Sequence, residues 1–313
     1  MSQHPDKPGL DFAGDLDFEQ ILTNPILDIG ARVWDEDRYV AFRVCYRSMR
    51  RIDDLVDDRK EGGRALTPDE IAHYTNVLDV WLDALERGRP VDEFQEELLA
   101  TMRQFRLPTW HWRRLCAAMV YDLTHDGFSS ILAFRRYAEG AAIAPASIFM
   151  HLCGLRRDGR NNLDPVFDVH DASSDLALFS YVVHIIRDFE KDMRRSLVYF
   201  ADDLIAEQGL TRDDLSAAAV SGDAPDRLRA LFARYRRFAD FYRCRARLKL
   251  DSLRPMFAPK YRLSLEIIYE LYLQVFERIN VTKGSFSARA LQPTPDEVKA
   301  RLMRTIDRFG YPA

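Results

Sequence analysis

Residues 176–200 read LALFSYVVHIIRDFEKDMRRSLVYF. Apolar side chains recur at helical spacing around most of this stretch: Leu178, Val182, Ile185, Phe189 and Met193 form one face, and Phe179, Val183 and Ile186 form another. A helix this greasy over its circumference belongs in the interior. One narrow stripe breaks the pattern, made of Tyr181, His184, Asp188 and Asp192 with Arg187 and Lys191 beside it. Spacings of three and four residues bring those side chains to one face. A carboxylate on a buried helix needs a cation, because an unpaired buried charge is costly enough to neutralise or to unfold the chain. Two readings meet that need: bound divalent metal, or an internal salt-bridge network with Arg187, Lys191 or Arg50.

A second acidic segment precedes it, FRVCYRSMRRIDDLVDD over residues 42–58. On a helix, Ala41, Cys45, Ser48, Ile52 and Leu55 form a small or apolar stripe, while Tyr46, Arg50, Asp53 and Asp57 share a second face. Asp54 and Asp58 repeat the same spacing, so the residues alone leave the inward register open. A solvated acidic helix end paired with Arg47, Arg50 and Arg51 is the competing reading. If the two acidic stripes face one another across a helical cavity, they make an oxygen-rich clamp for Mg²⁺, which takes one or two carboxylates and completes its shell with phosphate oxygens of a substrate. Charge neutralisation of that kind turns diphosphate into a good leaving group.

The remainder of the chain is also helical in period. Thr67-Pro68-Asp69-Glu70 and Thr294-Pro295-Asp296-Glu297 each place an N-cap, a proline at N1 and a glutamate at N3, the pattern of a capping box. Helices are predicted near 37–58, 67–88, 92–105, 109–126, 130–154, 173–194, 200–208, 224–252, 258–281 and 294–308, with polar loops at 59–66 and 156–170 and no strands. No linker or repeat divides the chain. The expected organisation is a disordered N-terminal tail over residues 1–16 and one all-α domain over 17–313. Segment 137–150, YAEGAAIAPASIFM, is rich in alanine and interrupted by Gly140 and Pro145, which predicts a thin, kinked helix. Small side chains there leave room for a long hydrocarbon; close helix packing explains them equally well.

Composition narrows the class. A net charge of −4 with interspersed signs gives no footprint for nucleic acid. Cys45, Cys116, Cys153 and Cys244 are scattered in apolar helical contexts and read as buried free thiols in a reducing compartment. The first residues, MSQHPDKPGLDF, lack a basic n-region and an apolar h-region, and no run approaches the length of a membrane span. A cytoplasmic protein with, at most, peripheral membrane contact is expected; the residues do not speak to its oligomeric state.

The run Tyr46-x3-Arg50-x2-Asp53-Asp54-x2-Asp57, the later Arg187-Asp188-x3-Asp192, and the block Tyr199-x4-Leu204-x4-Gly209-Leu210-x3-Asp214-Leu215 resemble, in order and separation, the squalene/phytoene synthase family of head-to-head prenyltransferases. The resemblance covers about residues 24–290. It implies an all-α isoprenoid synthase fold, a helical bundle around a central cavity, in which Asp53, Asp57, Asp188 and Asp192 hold Mg²⁺ around prenyl diphosphates. Tyr46 and Arg50 correspond to diphosphate-contacting positions, with Arg187 and Tyr199 in the later blocks. Tyr137 matches the tyrosine of a YxxAG-like segment, here YAEGA, as a cavity or diphosphate contact. The implied reaction condenses two farnesyl or geranylgeranyl diphosphates, through a cyclopropylcarbinyl diphosphate, to a squalene- or phytoene-type hydrocarbon. The last cation is quenched by proton loss or by hydride from NADPH, and nothing in the residues separates the two endings.

The chain also departs from the family. Where Gln-Leu-Thr-Asn is typical before the second aspartates, Tyr181-Val182-Val183-His184 stands here. His184 becomes a candidate metal ligand, which brings in Mn²⁺ because imidazole is a poor ligand for Mg²⁺; it is equally a candidate diphosphate donor or base, or a satisfied structural histidine. The serine-containing diphosphate loop appears as Asn24-Pro25-Ile26-Leu27, and the expected Arg-x-Tyr appears as Leu197-Val198-Tyr199 with Arg194 and Arg195 nearby. Such changes also suit a related enzyme that cyclises one prenyl diphosphate or transfers it to another acceptor. A non-catalytic assembly factor is the third reading, against which stand the four retained aspartates.

Overall fold

The computed structural model describes residues 26–60, 65–159 and 161–309, with residues 57–60 as backbone alone. Asn24, the expected tail over residues 1–16 and the side chain of Asp57 lie outside the described residues. Helices dominate: α1 (Ile26–Ala31), α2 (Glu36–Lys60), α3 (Pro68–Arg87), α4 (Glu93–Gln104), α5 (Trp110–Thr124), α6 (Ile131–Ala138), a π-helical turn (Glu139–Ile143) and α7 (Ala144–Gly154). After a hairpin of β1 (Arg156–Asp158) and β2 (Asn161–Leu163) come α8 (Val169–Arg187), α9 (Phe189–Arg194), α10 (Asp202–Glu207) and α11 (Arg212–Ser221). Then follow α12 (Asp226–Leu253), α13 (Pro259–Arg278), α14 (Ala288–Leu291) and α15 (Pro295–Phe309).

The start signals act as their chemistry requires. At α3 the Thr67 hydroxyl accepts from the Glu70 amide at 3.3 Å while the Glu70 carboxylate accepts from the Thr67 amide at 2.8 Å. Thr294 and Glu297 repeat the exchange before α15 at 3.4 and 2.7 Å. Each reciprocal pair satisfies two backbone donors that a helix start leaves open. A third box, Thr211 with Asp214, opens α11, a helix the period alone did not reveal because its run SAAAV carries little amphipathic contrast. Asp168 caps α8 through the Asp171 amide at 2.9 Å, so that helix begins at Val169, ahead of the expected residue 173. It also stops at Arg187: Asp188 leaves helical angles at φ −93°, ψ 4°, and the single helix expected to residue 194 is two helices joined at that aspartate. The expected loop at 156–170 contains the hairpin, whose mostly polar residues carry no apolar alternation to betray it.

Helix α8 runs through the middle of the bundle, packed most extensively against α12. Its apolar faces are buried as their period demanded, with Phe179, Val183 and Ile186 fully enclosed. Trp112, Phe42, Phe232 and Tyr235 are among the largest fully buried side chains, each contributing on the order of 2–3 kcal/mol by leaving water. Trp112 donates to Ser48 and Trp34 to Ser264, each at 2.8 Å, so the core indoles have hydrogen-bond partners. Cys45, Cys116 and Cys153 are buried free thiols, but Cys244 is exposed on α12. That corrects the expectation of four buried thiols: the period of α12 fits a helix buried on one side only, and Cys244 falls on the other.

Candidate active site

Segment 137–150 is thin and kinked for two separable reasons. Pro145 has no amide to donate, and the turn before it widens to the π-helical form over Glu139–Ile143. Gly140 lies against α5 so closely that a β-carbon there would sit 2.1 Å from the Arg114 carbonyl oxygen. Gly140 therefore serves helix packing, whereas Ala141, Ala142, Pro145 and Ala146 line a central cavity of about 420 Å³. The two explanations of the small residues hold for different positions of the same segment.

The cavity has a charged end and an apolar end. At the charged end α2 contributes Arg50 and Asp53, and the α8–α9 joint contributes His184, Asp188, Lys191 and Asp192. Asp53 lines the cavity. Asp54 is not among the lining residues and is 49 % exposed, paired with Arg50. Arg50 also donates to Asp53 at 2.6 Å, so part of the salt-bridge alternative is present in the folded chain. Arg195 and Tyr199 line the cavity as well, whereas Arg194 points away to Glu190 at 2.8 Å. Tyr46 is not among the lining residues; it is half-buried against Phe42, with ring centroids 5.8 Å apart. The apolar end is closed by Leu27, Phe149, Met150, Leu176, Leu265 and Ile268.

Asp188 and Asp192 sit one turn apart in opposite electrostatic states. Arg187 grips Asp188 at two points, Nε to Oδ1 at 2.6 Å and Nη2 to Oδ2 at 2.9 Å, and His184 Nε2 lies 2.7 Å from Oδ2. Burial alone would raise the Asp188 carboxyl; the hydrogen bonds from Arg187 and His184 outweigh it and hold the group well below the usual carboxylate range. His184 is pulled down from its ordinary value by burial, which with the Arg187 and Lys191 charges outweighs the hydrogen bond and charge of Asp188. The consistent assignment is a neutral imidazole donating its Nε2–H to the carboxylate, a tautomer inferred from the partner. The His184 side chain is 46 % accessible and is among the residues that line the cavity. Asp192 is pushed up to about 7 by burial and by the Asp188 charge, against the opposing pull of Lys191, Arg187 and Arg195. A carboxyl in that condition lacks positive charge in the folded protein, and a cation at the charged end would keep it ionised.

That condition suits a divalent ion, with one qualification. Among the described residues no group of three His, Cys, Asp or Glu side chains converges on a single metal position. Asp53 stands on one wall and Asp188 with Asp192 on the other, an arrangement that suits ions whose remaining ligands come from a diphosphate and water.

Lys191 and Arg195, named from the sequence only as neighbours of the acidic stripe and of Tyr199, stand on the wall of the site; the sequence singled out neither Tyr272, also on the wall, nor Asp122 behind it. Asp122 is 8 % exposed and accepts a hydrogen bond from Tyr137 at 2.6 Å. A signal for it existed: within LCAAMVYDLT it is the one charged residue in an apolar run, at helical spacing from the core-facing Leu115 and Met119.

The profile of the family described as squalene/phytoene synthase matches residues 29–299. The chain belongs to the squalene/phytoene synthase family. It is 25 % identical over 227 residues to chloroplastic phytoene synthase 2 of Zea mays, an alignment covering 72 % of this chain and 51 % of the maize protein. It is 26 % identical over 216 residues to chloroplastic phytoene synthase 1 of Arabidopsis thaliana, covering 68 % and 48 %. The chain thus spans about half the length of these plant relatives. Among solved structures, a dehydrosqualene synthase superposes with a TM-score of 0.72 at 14 % identity over 93 % of this chain and 94 % of that one. Squalene synthase HpnC of Alicyclobacillus acidocaldarius superposes at 0.61 with 16 % identity over 96 % and 93 %. The all-α isoprenoid synthase fold implied by the motifs of this squalene/phytoene synthase family member is the fold observed.

Proposed function

We propose that this family member condenses two prenyl diphosphates head to head and releases diphosphate. The observation that carries the reading is the polarity of one cavity: carboxylates from opposing helices at one end, and an alanine-lined apolar pocket at the other. A diphosphate fits the charged end, where Arg50, Lys191 and Arg195 supply positive charge, and a hydrocarbon chain fits the apolar end. Asp53, Asp188 and Asp192, with Asp57 from the same helix as Asp53, would hold Mg²⁺ there, which supplies charge neutralisation to the departing diphosphate. Arg187 and His184 fix Asp188 in its ionised form and in one orientation. The apolar wall excludes water from a carbocation, so that carbon rather than hydroxide captures it.

A second reading has its own observation. An apolar cavity of about 150 Å³ takes one benzene, so each carbon occupies roughly 25 Å³ and the whole 420 Å³ here, charged end included, suits at most roughly 17 carbons. That is one farnesyl chain, and two would need nearly twice the space. A single-chain reaction, cyclisation or transfer to another acceptor, fits the observed volume; the coupling reading requires the cavity to widen as the second chain binds.

Purified protein incubated with farnesyl or geranylgeranyl diphosphate, with Mg²⁺ or Mn²⁺, and with or without NADPH, separates these readings by the mass of the extracted product. A hydrocarbon of doubled chain length supports coupling, and its dependence on NADPH identifies the ending. A cyclic product of single chain length supports the second reading. Absence of diphosphate release in every combination would sink both. His184→Asn tests the histidine: lower turnover with unchanged metal preference fits its grip on Asp188, and a switch from Mn²⁺ toward Mg²⁺ fits coordination instead. The buried thiols suit a reducing compartment such as the cytoplasm. No helix among the described residues is long and apolar enough to cross a membrane. Phe241 and Leu248, two turns apart on α12 and 57 % and 71 % exposed, offer a face for peripheral contact with a bilayer that receives an apolar product.

A further inference from the structure

Along its cavity face, α8 changes character at one residue. Leu176, Ala177 and Ser180 line the cavity before Tyr181, and His184 lines it after, followed by Asp188 and Asp192. Tyr181 thus stands at the junction of the apolar and charged ends, one helical turn from Ala177 and from His184. It is the largest side chain that α8 presents to the cavity, a rigid ring where the family typically carries a flexible glutamine. The wall supplied by the π-helical turn and the start of α7 has no such bulk, being made of Ala141, Ala142, Pro145 and Ala146.

The ring is braced from behind. Phe134 lies parallel to it, with ring centroids 5.6 Å apart at 8°. Phe134 is 3 % exposed and is not among the cavity-lining residues, so it supports Tyr181 from the interior. Phe128 meets Phe134 edge-on in turn, with centroids 5.5 Å apart at 79°, and is itself fully buried. A close-packed interior gives way only by displacing such neighbours. Widening of the cavity for a second chain therefore works against the Tyr181 ring.

We propose that Tyr181 sets how many prenyl chains the cavity holds, and so how readily two chains couple. The inference rests on the proposed reading of this cavity as a prenyl diphosphate site. Head-to-head coupling joins the two carbons that carry diphosphate, so both chains must start at the charged end. There the Tyr181 ring fills room that a second chain needs. With the ring in place the whole cavity of about 420 Å³ suits at most roughly 17 carbons. Exchanging the ring for a methyl group in Tyr181→Ala frees about the 150 Å³ that one benzene takes, which gives about 570 Å³ and at most roughly 23 carbons. Two geranyl chains, with twenty carbons between them, fall between these limits. Two farnesyl chains exceed both, which makes geranyl diphosphate the discriminating substrate.

Initial rates of twenty-carbon hydrocarbon and of diphosphate release are measured with geranyl diphosphate and Mg²⁺ for the parent, Tyr181→Ala, Tyr181→Phe and Tyr181→Trp, each checked by a thermal melt. Tyr181→Ala should form the twenty-carbon hydrocarbon roughly 50-fold faster than the parent or more, the worth of room for at least about three further carbons. Tyr181→Trp, with a larger ring, should lower that rate roughly ten-fold or more. A loosened fold lowers the coupling rate, so a rise is not its signature. A folded Tyr181→Ala protein whose twenty-carbon rate stays within two-fold of the parent, falls, or is nil in both while single-chain products form overturns the proposal. A rise of the same size in Tyr181→Phe overturns it as well, because that variant keeps the ring. If Tyr181→Ala does not fold, Tyr181→Leu decides in its place, with a smaller rise that still exceeds two-fold. Failure of the parent to release diphosphate from any prenyl substrate instead removes the reading of the cavity, and the role of Tyr181 with it.

Discussion

Replacing Ala146 by phenylalanine should convert the cavity from one that accepts a farnesyl chain to one that accepts only a geranyl chain. Ala146 lines the apolar end of a cavity of about 420 Å³. The substitution adds a phenyl ring, whose volume is that of the benzene held by a cavity of about 150 Å³. About 270 Å³ then remain, charged end included, enough for at most roughly 11 carbons at the same packing. A ten-carbon chain still fits, whereas a fifteen-carbon chain must leave one isoprene unit outside the pocket. Five carbons at about 0.8 kcal/mol each amount to about 4 kcal/mol of lost burial, or roughly 10³ in kcat/KM. Initial rates of diphosphate release with geranyl, farnesyl and geranylgeranyl diphosphate measure the specificity ratio, and a thermal melt of the variant checks its fold. A folded Ala146→Phe protein whose farnesyl-to-geranyl ratio equals that of the parent would show that the hydrocarbon does not occupy this end, and the polarity argument for the site would fail with it.

Three further outcomes follow from individual contacts. Asp53→Asn should abolish diphosphate release while Asp54→Asn should leave it within a few-fold, because Asp53 lines the cavity and Asp54 does not; equal losses in the two variants would refute the register. His111 is 1 % exposed, neither ring nitrogen has a hydrogen-bond partner among the described residues, and burial, helped by His151, pulls its pKa down to about 3. The Ala144 backbone favours the imidazolium, but burial outweighs it. The stability tied to a neutral His111 is complete above the unfolded value near 6.5 and drains as pH falls toward 3; at pH 5 the loss is already about 2 kcal/mol. Urea unfolding at pH 7.5 and pH 5 should show the parent losing about 2 kcal/mol more than His111→Phe over that interval, and equal losses would refute the assignment. Gly140→Ala should destabilise by about 1–3 kcal/mol through overpacking, because the added carbon meets the Arg114 backbone, which cannot turn aside as a side chain would; an unchanged urea midpoint would count against that contact.

The all-α class and most helix positions were legible because they depend on local quantities. A period of 3.6 in apolar residues, a threonine with glutamate three residues on, and a proline at N1 act within one or two turns of chain. The exceptions were local signals of low contrast: the SAAAV run of α11, and a hairpin built largely from arginine and asparagine. Helix α8 was expected in its face but not in its break at Asp188, since leaving helical angles at one residue changes no period. At the site, the acidic stripe of α8 was readable because polar residues are conspicuous on a buried helix. The competition between Asp53 and Asp54 was not, because both repeat at the same spacing. Asp122 was missed since its partner, Tyr137, lies 15 residues away on another helix.

By itself, the order of residues determined which segments are helical, which of their faces must be buried, and that carboxylates occur on a face that cannot go unpartnered. These are properties of a single helix in water, set by side-chain period and the cost of burying charge. Only the tertiary structure decided which carboxylates meet across a cavity, that Asp188 is held ionised by Arg187 and His184 while Asp192 is not, that Tyr46 stands aside from the cavity, and how much room the apolar end leaves. Those outcomes depend on distances of a few ångströms between helices far apart in the chain. Electrostatic and packing energies change steeply over that range, and no pattern within a single helix encodes it.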